Sequence, residues 1–153
     1  MRFTYSCPLP VPAEQAWERL SRPETLIPCI PGLESAQPDA AEPERYRFTV
    51  AAAVGPIRLR LSGSARVQVD AAQRWIQADV AMQDARSGSV HGRFTMRLEP
   101  QEGREGPAPG SRLILESDVA VAGRLGELGQ SLIQRKADQL VREFLQSIQA
   151  LMV

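Results

Sequence analysis

Lysine, histidine and large aromatics are scarce in this chain, and each shortage removes a class of function. Lys136 is the only lysine and His91 the only histidine, and phenylalanine, tyrosine and tryptophan together make up 5% of the 153 residues. Acidic and basic side chains balance at 18 each, so no global positive field exists to gather phosphates, and nucleic acid is not an expected partner. One histidine among scattered acids gives no ligand spacing, so neither a metal nor a cofactor is expected. Cys7 and Cys29 form no CxxC and have no second pair; they read as two reduced, partly buried thiols. No stretch approaches the roughly 20 continuous apolar residues that cross a bilayer, and MRFTYSCPLP lacks the layout of a signal peptide. The cytoplasm is the expected compartment.

What is present suits one globular domain over residues 1–153. The apolar fraction is 43% and the charged fraction 24%, both ordinary, and a chain of this length hides roughly 70% of its unfolded surface. Phe3, Tyr5, Cys7 and Leu9 alternate with polar residues, the period of a half-buried strand. Pro12 then introduces a short helix with Ala16, Trp17 and Leu20 on one side, and prolines at 23, 28 and 31 limit the next piece to one or two helical turns. Strands follow. Tyr46, Phe48, Val50 and Ala52 share one face, Val54-Gly55-Pro56 turns the chain, and Ile57 to Val69 alternates in a long return strand where Gly63 marks a bulge or bend.

Three more strands are carried by Ile76 to Met82, Val90 to Leu98 and Leu113 to Val121, with a glycine- and proline-rich hairpin connection at Pro100 to Gly110. From Leu125 to Leu151 apolar residues recur every three or four positions. That predicts a helix of about 25 residues, nearly 40 Å long, with Gln134, Arg135, Asp138, Gln139, Arg142, Glu143 and Gln146 facing water. The result is an α+β chain whose sheet wraps the last helix.

Three segments in series resemble the carbon monoxide dehydrogenase CoxG-like family of the START-like, or SRPBCC (polyketide cyclase-like), superfamily. They are PETLIPCIPGLES at Pro23 to Ser35, VAAAVGPIRLRLSGSARV at Val50 to Val67, and VAGRLGELGQSLIQRKADQLVREFLQSI at Val121 to Ile148. The chain departs from relatives in GSVHGRFTM, Gly88 to Met96, where they are often richer in glycine and alanine, and, since it stops at Val153 where some carry a long membrane-seeking extension, stable membrane anchoring is not among the expectations. The resemblance implies a helix-grip fold, a curved antiparallel sheet around a long C-terminal helix with two short helices after the first strand, and a hydrophobic cavity between sheet and helix. It further implies an accessory protein of a molybdenum hydroxylase, transient contact with the inner face of the membrane, and the handling of a quinone, isoprenoid or lipid.

The inward parity names the residues that either fill a core or line that cavity. They are Phe48, Val50, Leu59, Leu61, Val67, Val80, Met82, Phe94, Met96, Leu115 and Val119, facing Leu128, Leu132, Leu140 and Phe144. Few large aromatics are available to fill the middle of a curved sheet, and Ala52, Ala65, Ala78 and Gly92 leave further room, which favours a pocket. Gly123, Gly126 and Gly129 recur at the start of the last helix, either for close packing against a strand or as a bendable first turn. In the second case they form an entrance with Pro28, Ile30, Pro31 and Leu33 as the opposite lip. Trp75 has outward parity, as a protein contact or packed under arginine stems.

Catalysis requires a nucleophile with a base, or paired carboxylates, in a pocket. His91, Asp79, Glu116 and Asp118 fall on the outer face, and only Asp84 has inward parity, at a strand end where it can reach a cavity rim. The leading expectation is therefore non-catalytic binding of an apolar molecule. A cyclase- or hydratase-type enzyme and a protein–protein adaptor with a filled cavity are the alternatives, and an acid and a tyrosine converging inside would favour the enzyme.

Overall fold

The computed structural model describes residues 1–101 and 110–152. Strand β1 (Arg2–Leu9) leads into α1 (Ala13–Leu20), where Pro12 precedes the first turn and Ala13, Ala16 and Leu20 are buried. Helix α2 (Pro23–Leu26) passes into a 3₁₀ turn (Ile27–Cys29) because Pro28 has no N–H with which to continue an α-helix. Strands β2 (Leu33–Pro38), β3 (Arg45–Val54), β4 (Ile57–Asp70), β5 (Trp75–Asp84), β6 (Gly88–Gln101) and β7 (Gly110–Ala122) follow. A 3₁₀ segment (Gly123–Leu128) and α3 (Gln130–Leu151) close the chain.

All seven strands form one antiparallel sheet in the order β1-β7-β6-β5-β4-β3-β2, curved around α3. Consecutive strands pair except for β1, which joins the end of the chain through Tyr5 opposite Leu115 and Cys7 opposite Leu113. The parity is the expected one: Leu59 and Leu61 are buried while Arg58, Arg60 and Arg93 are exposed. The outer face shows the same register as a row of charges, Arg66, Asp79, Arg93, Asp118 and Arg2, alternating in sign on directly paired positions across five strands. Arg93 Nε donates to Asp79 Oδ1 at 2.8 Å within that row.

Two local expectations change. Gly63 is no bulge, since β4 pairs without a shift on both sides; a Cβ there would run into the backbone of Ala81 and Met82, so it marks a close approach of β5. The irregular register lies instead in β2, between Leu33 and Ser35. The last helix begins at Gln130, not near Leu125, because Gly129 at its N-cap has φ 94° and ends the 3₁₀ segment. Of the connection expected at Pro100 to Gly110, residues 102–109 lie outside the described residues; its flanks Gln101 and Gly110 are paired.

The buried residues fall into two clusters at opposite ends of the gripped helix. The larger joins Cys7, Leu9, Ala16, Leu20, Cys29, Ile76, Met96, Leu98, Leu113 and Leu115 to Leu145, Ile148 and Met152 of the C-terminal helical stretch. The smaller joins Val54, Leu59, Leu61, Val90 and Leu125, with Leu128 and Leu132 packed against it. Both cysteines are buried free thiols, and burial raises their pKa values.

Candidate functional site

Between the two clusters the inward face is unsealed. Phe48 and Val50 of β3, Val80 of β5 and Phe94 of β6 share the face that grips α3, belong to neither cluster and are half-buried. Ile133, Ala137 and Leu140 of α3 are half-buried too and also stand outside both clusters. Ala52, Ala65 and Ala78 share the inward register with these strand residues. Apolar surface kept from full burial forgoes about 25 cal/mol per Å². This band is therefore the least sealed part of the inward face.

The structure divides the inward residues named from parity. Leu59 and Leu61 are buried in the smaller cluster, and Met96 and Leu115 in the larger. Met82, Val119, Leu128 and Leu132 lean on the smaller cluster, and Val67 and Phe144 on the larger. Phe48, Val50, Val80 and Phe94 remain.

The two segments expected to form an entrance are anchored in different clusters, Cys29 of the first in the larger and Leu125 of the second in the smaller. Leu33 pairs with Val50 near the β3–β4 tip, while the Gly123–Leu128 segment is tied to the β5–β6 turn by the Leu125 N–H, which donates to Ser87 O at 2.6 Å. Pro28 and Ile30 are exposed, and Pro31 and Leu33 half-buried. The three glycines are not inside the helix and do not act alike. Gly123 has φ 81°, and a Cβ on it would stand 2.8 Å from Gly88 Cα, the mark of close packing. Gly126 meets nothing nearer than 3.4 Å, and Gly129 faces open space.

One polar group on this face has no counterpart in the sequence pattern. Tyr5 Oη donates to Asp138 Oδ1 at 2.8 Å, and Arg142 Nε donates to Asp138 Oδ2 at 2.8 Å, which ties β1 to α3. Asp138 thus does not simply face water as the helical period suggested. Burial first, then the hydrogen bond to Asp138, pushes the Tyr5 pKa up to about 12. The Tyr5 hydroxyl in turn holds the Asp138 carboxyl below its usual range, helped by Arg142. Nothing in the helical period could have revealed a partner 133 residues away.

The other charged candidates are structural. Asp84 does not reach a rim: its carboxylate accepts from the backbone N–H of Arg60 at 3.0 Å and of Arg86 at 2.9 Å, which lowers its pKa. Glu116 meets Arg97 at 3.3 Å. His91 is exposed on the outer face, in a shallow trough of about 920 Å³ banked by Arg45, Arg66, Asp79, Arg93 and Asp118. Most of those charges belong to the paired row, so the trough reads as the solvated back of the sheet. Trp75 is half-buried opposite Arg97. No group of three or more potential metal-binding side chains occurs among the described residues.

Residues 7–152 match the family of CoxG, described as a subunit of carbon monoxide dehydrogenase. The chain belongs to that family. No curated protein matches its sequence. Among solved structures it is similar to a conserved protein from Geobacillus kaustophilus, with 18% identity, a TM-score of 0.83, and 99% of this chain and 95% of that one covered. The Zhui aromatase/cyclase from Streptomyces sp. R1128 is similar over 98% and 92%, with 15% identity and a TM-score of 0.69. A START superfamily protein from Mycobacterium smegmatis is similar over 99% and 96%, with 13% identity and a TM-score of 0.66. At these identities the neighbours establish the helix-grip fold that this CoxG family member shares with START-like proteins, and the fold alone. No helix among the described residues is long and apolar enough to cross a membrane.

Proposed function

We propose that the chain is a non-catalytic binding protein that holds an apolar small molecule, a quinone, isoprenoid or lipid, between its sheet and α3. In this reading it serves a carbon monoxide dehydrogenase-type molybdenum hydroxylase in the cytoplasm, with transient contact at the inner face of the membrane. The observation that carries the binding reading is the band of half-buried Phe48, Val50, Val80 and Phe94 between two sealed clusters. Family membership supports the accessory role, and the START-like fold supports a small ligand. The ligand enters between the Pro28 to Leu33 turn, where Ile30 is 38% exposed, and the Gly123 to Gly129 segment.

The enzyme reading has one observation in its favour, the Tyr5–Asp138 pair on a scaffold that an aromatase/cyclase also uses. Its chemistry argues for anchoring. A general acid or base works best with a pKa near the working pH, whereas Tyr5 is pushed up to about 12 and Asp138 is held down. Neither would exchange protons near neutrality.

The test is native mass spectrometry of protein purified from its own host, with extraction of the bound molecule, followed by titration with menaquinone analogues and fatty acids. Ala78→Phe and Val80→Trp are expected to abolish uptake while the fold survives an overpacking cost of about 1 to 3 kcal/mol. If the wild type binds none of these at high micromolar concentration and the filled variants behave like it, the chain is an adaptor with a filled interior.

A further inference from the structure

On the outer face of the sheet a second row runs beside the row of alternating charge. The register sets Arg47 of β3, Ser64 of β4, Ala81 of β5 and His91 of β6 side by side. Its ends are three strand spacings apart, about 14 Å, with only small side chains between them. The next row toward the β3–β4 tip, Thr49, Ser62, Gln83 and Ser89, carries no charge. The two rows floor a hollow of about 340 Å³ that Arg45 and Arg47 bank on one side, and no carboxylate lines it.

In the alternating row each arginine has an aspartate directly beside it. The bank of the hollow breaks that rule. Arg45 sits directly opposite Arg66, and like charges at paired positions are destabilising. Arg47 lies on the same face of β3, two residues on. Glu42 offsets Arg66 at 2.9 Å and Asp39 meets Arg47 at 3.7 Å, whereas the half-buried Arg45 forms no ion pair among the described residues and donates to Ser64 Oγ at 3.3 Å. Ser62 shares its hydroxyl with Thr49 at 3.1 Å. Two guanidiniums and the hydroxyls of Ser62, Ser64 and Ser89 therefore border one hollow with N–H donors to spare and no acid among its walls. A phosphate group suits this donor set better than a carboxylate, because it offers three acceptor oxygens and about two negative charges near neutral pH, and guanidinium grips it bidentately.

We infer that this hollow is a phosphate-binding site, in which Arg45 and Arg47 clasp a phosphate or phosphate monoester over Ser62, Ser64 and Ser89. It lies on the face of the sheet opposite the half-buried band and stands independently of the ligand proposed for that band.

Amide-resolved NMR titrations of the full chain with phenyl phosphate, inorganic phosphate and acetate, at constant ionic strength, test the site. Phenyl phosphate is expected to saturate and to move the amides of Ser62, Ser64, Ala81 and Ser89. Arg45→Gln and Arg47→Gln are each expected to weaken it about fivefold or more, while Arg58→Gln, an exposed cation of β4 outside the hollow, stays within about twofold of wild type. Arg45→Gln is also expected to melt no lower than wild type, since it removes a like-charge pair. Tighter binding of phenyl phosphate than of inorganic phosphate assigns the site to an organic phosphate, and equal binding assigns it to the free ion. No saturation by about 10 mM, weakening by Arg58→Gln equal to that by Arg45→Gln, or acetate bound as tightly as phenyl phosphate would each overturn the site. A lower melting temperature for Arg45→Gln with phosphate affinity unchanged would make Arg45 a structural residue and overturn it as well.

Discussion

At the scale of the residue, the Tyr5–Asp138 bond is the feature with a measurable pH signature. Asp138 has a folded pKa held below the unfolded value, so its contribution is present above pH ~4 and is lost as pH falls through the lowered value. Tyr5 has a folded pKa raised to about 12 from 10.0, so its contribution is whole below pH 10 and is lost as pH rises from there toward 12. Tyr5→Phe is expected to lower the melting temperature by about 2 to 4 °C near neutral pH. That difference is expected to stay flat from about pH 5 to 9 and to shrink beyond both ends, as a melting series by intrinsic fluorescence would record. A difference that kept growing below pH ~4 would contradict the assignment. His91 offers the opposite case, an exposed side chain on the outer face whose replacement by alanine is expected to leave ligand affinity within about twofold.

At the scale of the element, the segment before α3 shows that three evenly spaced glycines hold three different jobs. Gly123 combines φ 81° with contact against Gly88, so Gly123→Ala is expected to destabilise by about 1 to 3 kcal/mol. Gly126 has room for a methyl group, with its nearest neighbour Val121 O at 3.4 Å, and Gly126→Ala is expected to stay within about 0.5 kcal/mol of wild type. Urea denaturation of the two variants separates them. If the segment is also the gate, stopped-flow binding to Gly126→Ala will show slower association and release at an affinity near that of the wild type, because only the opening step is stiffened. An unchanged exchange rate would remove the gate from the proposal.

For the whole molecule, the proposed ligand would act as a stability term. A molecule that binds only the folded state adds about 2.7 kcal/mol at a hundred times its dissociation constant. For a chain of this size that is a rise in melting temperature of about 5 to 10 °C. Differential scanning fluorimetry of the protein from its own host, before and after delipidation, is expected to show such a drop. Val80→Trp, with the space already filled, is expected to show none.

The order and kind of the elements were legible because period-2 and period-3.6 alternation records which side of each element meets water. That is why Leu59 and Leu61 turn inward and Arg58 and Arg60 outward, as their spacing requires. Parity names a face but not a depth, so it could not tell sealed Leu59, Leu61, Met96 and Leu115 from half-open Phe48, Val50, Val80 and Phe94. That difference depends on where along the curved sheet α3 makes contact, and α3 touches a packed cluster near each of its ends while its middle stays unsealed. The pairing of Tyr5 with Asp138 was hidden because it joins residues far apart in the chain. The sequence alone determined the sheet, the helix and their inward faces, because those follow from local periodicity; the tertiary structure decided which inward residues are sealed and which stay half-buried, because burial is a property of contacts made across the whole chain.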